Sequence, residues 1–183
     1  MSKITKTIAA LGVVAGLGVA ALPLASYAAD TENIQVTANV GSTISLSMAG
    51  NKNSVELDPV TNGAIDSDTV TAQVTTNDTT GYKLTASATT STLSNTSGDT
   101  IVAGTPANND TTSHWGIKWA GKAEDTYVGL GTTQTLKETN TENPSTADEV
   151  EITIAASASA TQPTGEYTGS FTLTATANSE AGA

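Results

Sequence analysis

An all-β fold is predicted by three observations. Apolar and polar residues alternate with a period of two along several stretches; threonine dominates, with 35 of 183 residues; and nothing beyond residue 28 carries an apolar stripe of period 3.6. A period of two marks a strand half-buried on a pleated sheet. Threonine suits such a strand because its β-branched side chain is stiff at χ1 and its hydroxyl tolerates the wet face. A disordered Thr/Ser stalk shares the composition but has no reason to keep the alternation. Seven or more short strands separated by turns are the pattern of a single antiparallel β-sandwich of the immunoglobulin-like kind. The Cys–Trp–Cys hallmark of true immunoglobulin domains is missing, because the chain has no cysteine.

The N-terminal stretch is of a different kind. Lys3 and Lys6 precede an 18-residue apolar run, Ile8 to Ala25, and Ser26-Tyr27-Ala28 supplies small residues at −3 and −1. This predicts a secretory signal peptide over residues 1–28, cleaved before Ala29. The run is long enough for an uncleaved anchor, but Gly12, Gly16, Gly18 and Pro23 break it, and no second apolar run of that length follows. The expected organisation is therefore signal peptide 1–28, β-sandwich 29–178 and a short flexible tail 179–183.

Strands are expected in the following order. From Ile34 to Met48 every even position except Ser42 is apolar, which predicts one long strand bent or bulged at Gly41. Val70, Ala72 and Val74 share a face, as do Tyr82, Leu84, Ala86 and Ala88; with the turn at 77–81 between them they read as a hairpin. Trp115, Ile117 and Trp119 face one way on a fourth strand, and Val150, Ile152, Ile154 and Ala156 on a fifth. Tyr167, Phe171, Leu173 and Ala175 make the last. Asp58-Pro59 and Asn62-Gly63 are turn signals, and the polar stretches 89–112 and 137–148 read as long loops. The expected core is Ile34, Val36, Leu46, Val74, Tyr82, Leu84, Trp115, Ile152, Ile154, Tyr167, Phe171 and Leu173. A buried Phe171 cut to alanine would cost roughly 3–5 kcal/mol.

Charge narrows the partners. Removing Lys3 and Lys6 leaves five lysines and no arginine against 18 acidic residues, a formal charge of −13 on residues 29–183. Nucleic acid and anionic headgroups are bound mainly through Lys and Arg, so neither nucleic acid nor, after signal cleavage, membrane is an expected partner. An exported chain without cysteine must be held by sheet pairing and packing alone.

No catalytic constellation is expected. A Ser or Thr nucleophile would have to be activated by His114, the single histidine, beside Trp115. No His/Cys cluster offers a zinc site. Asp66-Ser67-Asp68 and Glu124-Asp125 supply hard oxygens for calcium but lack the spacing of a binding loop, and no metal or other cofactor is expected. Asn77, Asn95 and Asn109 begin formal glycosylation sequons, which chance supplies in so Asn/Thr-rich a chain. Trp115 and Trp119 are expected mainly in the core, one of them partly exposed as a candidate ligand platform.

The segments NDTTGYKLTASA (77–88) and PTGEYTGSFTLTATA (163–177) resemble WxL-type cell-surface domains of Gram-positive bacteria. There an aromatic-x-Leu strand follows a polar turn and a second such strand ends the domain. Tyr82-Lys83-Leu84 and Phe171-Thr172-Leu173 occupy those positions, with Tyr and Phe where that family has Trp. The resemblance implies wall- or partner-binding strands at Tyr82, Leu84, Phe171 and Leu173. Asn33, Ile34, Val36, Thr37, Ala38 and Val40, with Trp115-Gly116 and residues 163–169, resemble colonisation-factor-type fimbrial major subunits. That implies a donor strand at Ile34, Val36, Ala38 and Val40, lent to a neighbouring copy. The chain is also similar to Thr-rich exported surface proteins of bacteria. The expected function is that of a non-enzymatic, secreted bacterial cell-surface protein acting in cell-wall association, envelope coating or adhesion. Its partner would be a cell-wall polymer, a surface protein or a second copy. A polymerising fimbrial subunit is the alternative and a secreted hydrolase the distant one. With no sorting motif in the last residues, retention at the cell is expected to be non-covalent.

Overall fold

The computed structural model describes residues 35, 37–38, 40–57, 64–122, 126–140 and 146–178. The expected signal peptide, Ile34, Val36, the turn signals at 58–59 and 62–63, Glu124-Asp125 and the 179–183 tail lie outside the described residues. The chain divides into two units, Met1–Ala38 and Asn39–Ala183. Of the first, Gln35, Thr37 and Ala38 are described; all three are exposed and outside any strand.

The second unit is all-β. Its strands are β1 (Ile44–Met48), β2 (Ile65–Thr76), β3 (Tyr82–Ala88), β4 (Thr92–Ser94), β5 (Thr100–Ala103), β6 (His114–Trp119), β7 (Gln134–Glu138), β8 (Asp148–Ser157) and β9 (Phe171–Ala177). They form a six-stranded sheet in the order β1-β2-β8-β6-β5-β4 and a three-stranded sheet in the order β7-β3-β9. All pairings are antiparallel except β5 with β6. No helix among the described residues is long and apolar enough to cross a membrane.

Alternation explains the core. Val70, Ala72 and Val74 on β2, Trp115 and Ile117 on β6, and Val150, Ile152 and Ile154 on β8 come from the first sheet; Tyr82, Leu84 and Ala86 on β3 and Leu136 on β7 come from the second. All are buried in one continuous cluster. Removing this apolar surface from water, at about 25 cal/mol per Å², is what holds two sheets together without a disulfide. The described strands never pair across the two sheets, so the layers meet through side chains.

Four expectations need correction. The strand expected over 34–48 begins only at Ile44. Asn77 is the cause: its side-chain amide donates to Gly41 O at 2.9 Å, its Oδ1 accepts from Thr43 N at 2.6 Å, and its own N–H donates to Thr43 O. Backbone groups that would extend the ladder are taken, Ala38 and Val40 lie outside any strand, and Val40 is 87% exposed.

The hairpin expected between β2 and β3 is a crossover between sheets. Both edges of β2 are used by β1 and β8, and β3 pairs with β7 and β9. Asp78 turns the chain, its Oδ1 accepting from Thr80 N at 2.8 Å and Thr80 Oγ1 at 2.7 Å. Gly81 follows at φ 87°, its absent Cβ leaving room for the Thr139 backbone. Five residues suffice to bridge layers roughly 10 Å apart.

The loops expected at 89–112 and 137–148 contain β4 and β5, and the start of the second belongs to β7, which runs on to Glu138. Tyr167, expected in the last strand, precedes it. Thr168 pairs with Ser94 at the edge of the first sheet, and the chain crosses to the second sheet only at Phe171. None of the four residues expected on that strand's inner face is therefore enclosed: Tyr167, Phe171, Leu173 and Ala175 are half-buried, as is Leu46 of β1.

Gly116, in the middle of β6, is required by close backbone approach. A Cβ there would stand 2.5 Å from Gly104 O and 2.9 Å from Val128 O. Val128 is hydrogen-bonded to Ile117 in both directions and Gly104 N donates to Trp115 O, so both backbones are held against β6. Gly116→Ala is expected to destabilise the domain by about 1–3 kcal/mol, the usual cost of overpacking, read as a lower thermal midpoint.

Candidate functional site

The two aromatic-x-Leu strands are neighbours. β3 and β9 pair antiparallel along their length, Tyr82 opposite Ala177, Leu84 opposite Ala175, Ala86 opposite Leu173 and Ala88 opposite Phe171. Tyr82 and Phe171 thus lie at opposite ends of the pair. Their exposure differs as well. Tyr82 and Leu84 have no accessible surface, whereas Phe171 and Leu173 remain half-exposed. β3 is covered on both edges and packed inward; β9 is the last strand of its sheet.

Beside β9 lies an open groove of about 370 Å³ lined by Met48, Val55, Val70, Ile154, Phe171 and Leu173. It opens where the edge strands of the two sheets, β1 and β9, come together. Its rim carries Lys52, whose ammonium is 2.7 Å from Asp68 Oδ1 and 2.9 Å from Thr69 O. The hydrogen bond from Lys52, with that from Thr69 N, holds the Asp68 carboxyl below its usual range against a small opposing effect of burial. The groove is thus apolar inside and neutral at this rim.

Tyr82 is a structural anchor. Its hydroxyl donates to Asp148 Oδ2 at 2.6 Å, and Lys137 Nζ donates to Asp148 Oδ1 at 2.6 Å. One carboxylate at the start of β8 thereby ties β3 and β7 of the second sheet to the first. Burial pushes the Asp148 carboxyl up, but the bonds from Lys137 and Tyr82 and the Lys137 charge outweigh it, leaving the pKa lowered.

Trp115 is 1% exposed and Trp119 half-buried. Lys122 Nζ sits 5.9 Å from the Trp119 ring centre and Lys118 Nζ 5.3 Å from that of Tyr127. The accessible faces of these rings are therefore shared with cations.

His114 is held by Asp110, Nδ1 to Oδ2 at 2.7 Å, and the same oxygen accepts from Ser157 Oγ at 2.8 Å. Ser157 is fully buried and its hydroxyl points to the carboxylate, so imidazole and hydroxyl are not arranged as base and nucleophile. Burial raises the Asp110 pKa, but hydrogen bonds from His114, Thr112 N and Ser157 bring it below the usual range. The cluster pins the 104–113 loop to β8. Of the calcium candidates, Asp68 is engaged by Lys52, and no three metal-ligating side chains converge among the described residues.

The groove is the feature that sequence reasoning missed. Met48 and Val55 belong to it by position rather than by pattern, since Val55 lies in the irregular segment after β1. No family model matches this chain, and no curated protein matches it either.

Proposed function

We propose that this chain is a non-enzymatic, secreted bacterial cell-surface protein, an immunoglobulin-like sandwich that acts by contact in cell-wall association, envelope coating or adhesion. The observation that carries this reading is the apolar groove between β1 and β9, with Phe171 and Leu173 half-exposed in its wall. An apolar recess with a polar rim receives a partner's apolar groups and orients its polar ones. The immunoglobulin-like reading draws on strand order. β1-β2-β8-β6 follows the A-B-E-D arrangement and β3 beside β9 the C–F pair. Secretion is supported by the leader pattern of residues 1–28.

The test is sedimentation of the chain from Ala29 onward with isolated Gram-positive cell walls. Phe171→Ser and Leu173→Ser should each weaken binding roughly tenfold, an interface truncation of about 1.4 kcal/mol, in variants whose melting confirms folding. A chain that stays in the supernatant, or binds equally well without those side chains, overturns the reading.

A second reading, a polymerising fimbrial subunit, is favoured by Val40. It lies within the alternating 34–48 segment, ahead of β1, is 87% exposed and belongs to no strand, so its apolar side chain is open to a neighbouring copy. In that reading the same preparation forms chains, and deleting residues 29–40 abolishes them.

A further inference from the structure

The edges of the two sheets are not equally protected. β4 is three residues long and its Ser94 is already paired with Thr168. β7 carries Lys137 and Glu138, charges that discourage strand addition. β1 is uncharged but only five residues long. β9, Phe-Thr-Leu-Thr-Ala-Thr-Ala, is seven residues without a charge, a proline or a glycine. Among the described residues no strand is hydrogen-bonded to its outer side, and β1 of the other sheet approaches it only across the groove. A long edge strand without charges is a template for another strand.

We propose that β9 is a homodimer interface, pairing antiparallel with β9 of a second copy about a twofold axis through Thr174. The inference goes beyond the function proposed above and needs neither the wall nor the N-terminal segment. It rests on self-complementarity. Centred on Thr174, antiparallel pairing sets Phe171 against Ala177, Thr172 against Thr176 and Leu173 against Ala175 of the other copy. On the exposed face Thr172, Thr174 and Thr176 meet only threonines, and cross-strand Thr pairs are favourable. On the half-buried face each large side chain meets a small one.

Charge points to the same place. Copies of the chain from Ala29 onward, each with a formal net charge of −13, repel each other, so a self-contact is favoured where charge is locally absent. β9 has none, and Lys83, which faces Thr176 on β3, is neutralised by Glu138 at 3.4 Å. The joined sheet would run β7-β3-β9-β9-β3-β7, and closing the seam would also cover Phe171 and Leu173.

Size sets the strength. Seven residues give an edge about 24 Å long; with the flanking seam roughly 20 Å wide, each copy buries about 500 Å², below the roughly 800 Å² of a stable complex. The dimer is therefore weak and concentration-dependent.

The absence of cysteine makes the test clean. Under twofold pairing position 174 faces itself, with Cβ atoms about 4.5–5.5 Å apart, close enough for a disulfide after slight adjustment. In the chain from Ala29 onward, Thr174→Cys should form a disulfide dimer under mild oxidation, and Thr135→Cys on the β7 edge should not. The unmodified chain should rise towards twice the monomer mass in sedimentation as concentration approaches about 1 mM, as a small interface requires. Thr174→Lys, on an exposed position, should remain monomeric with unchanged melting. Deletion of residues 29–40 should leave the Thr174→Cys dimer intact, separating this interface from strand donation; wall sedimentation reports on the proposed function independently. A Thr174→Cys chain that crosslinks no faster than Thr135→Cys, or self-association unaffected by Thr174→Lys, overturns the proposal.

Discussion

Trp115→Ala is expected to cost about 3–5 kcal/mol, while Phe171→Ala costs only about 1–2 kcal/mol. In a domain of this size that difference separates a fall of roughly 10 °C or more in thermal midpoint from one of a few degrees. Trp115 is 1% exposed, between β5 and β8 at the centre of the six-stranded sheet, so its removal opens a cavity walled by hydrogen-bonded strands that cannot close on it. Phe171 stands at an edge, against an open groove, where water replaces the lost ring. The chemistry of Trp115 adds a second contrast. Its Nε1 is buried without a hydrogen-bond partner among the described residues. Trp115→Phe deletes that donor together with part of the ring, so its cost should fall below about 1.5 kcal/mol, the smaller cavity being offset by the lost desolvation penalty. Chemical denaturation of the three variants checks both contrasts. Equal losses at Trp115 and Phe171 would mean that the groove is closed in solution.

The faces of the strands were legible in the sequence because alternation is local. Val70, Ala72 and Val74, Tyr82, Leu84 and Ala86, and Val150, Ile152 and Ile154 all point inward as their period requires. Partner choice was not legible, because a hairpin and a crossover between sheets produce the same alternation. What decides between them at 77–81 is which edges of β2 are free, a property of β1 and β8 rather than of the turn. β7 escaped notice because Gln134-Thr-Leu-Lys-Glu holds one apolar residue, Leu136, and that residue is 4% exposed. The candidate site shows the same limit. Tyr82-x-Leu84 and Phe171-x-Leu173 are spelled alike, yet one lies on a central strand and is sealed, the other on an edge and open. Edge or centre is set by the order of strands, which no seven-residue window contains.

The largest polar effect is expected at Asp148. Asp148→Ala removes the acceptor of the Tyr82 hydroxyl and the partner of Lys137 in one step, at a cost of about 2–4 kcal/mol. Tyr82→Phe deletes a single hydrogen bond and should cost about 1 kcal/mol, and Asp148→Asn, which can still accept from Tyr82 but carries no charge for Lys137, should fall between. The pH dependence follows from the same geometry. The folded-state pKa of Asp148 is lowered below the unfolded value, about 3.9 for an aspartate. The folded chain therefore holds its proton less readily than the unfolded one. The stabilisation is fully present above the unfolded pKa and is lost as pH falls through the folded one, so it disappears below about pH 4. Asp110 acts in the same direction through His114, Thr112 and Ser157. Asp148→Asn should accordingly be less stable at pH 7 but lose less on going from pH 5 to pH 2, with a remaining slope that Asp110→Asn reduces further. Urea unfolding at a series of pH values measures both slopes. An Asp148→Asn variant whose acid limb parallels the parent would show that this carboxylate does not hold the sheets together through its charge.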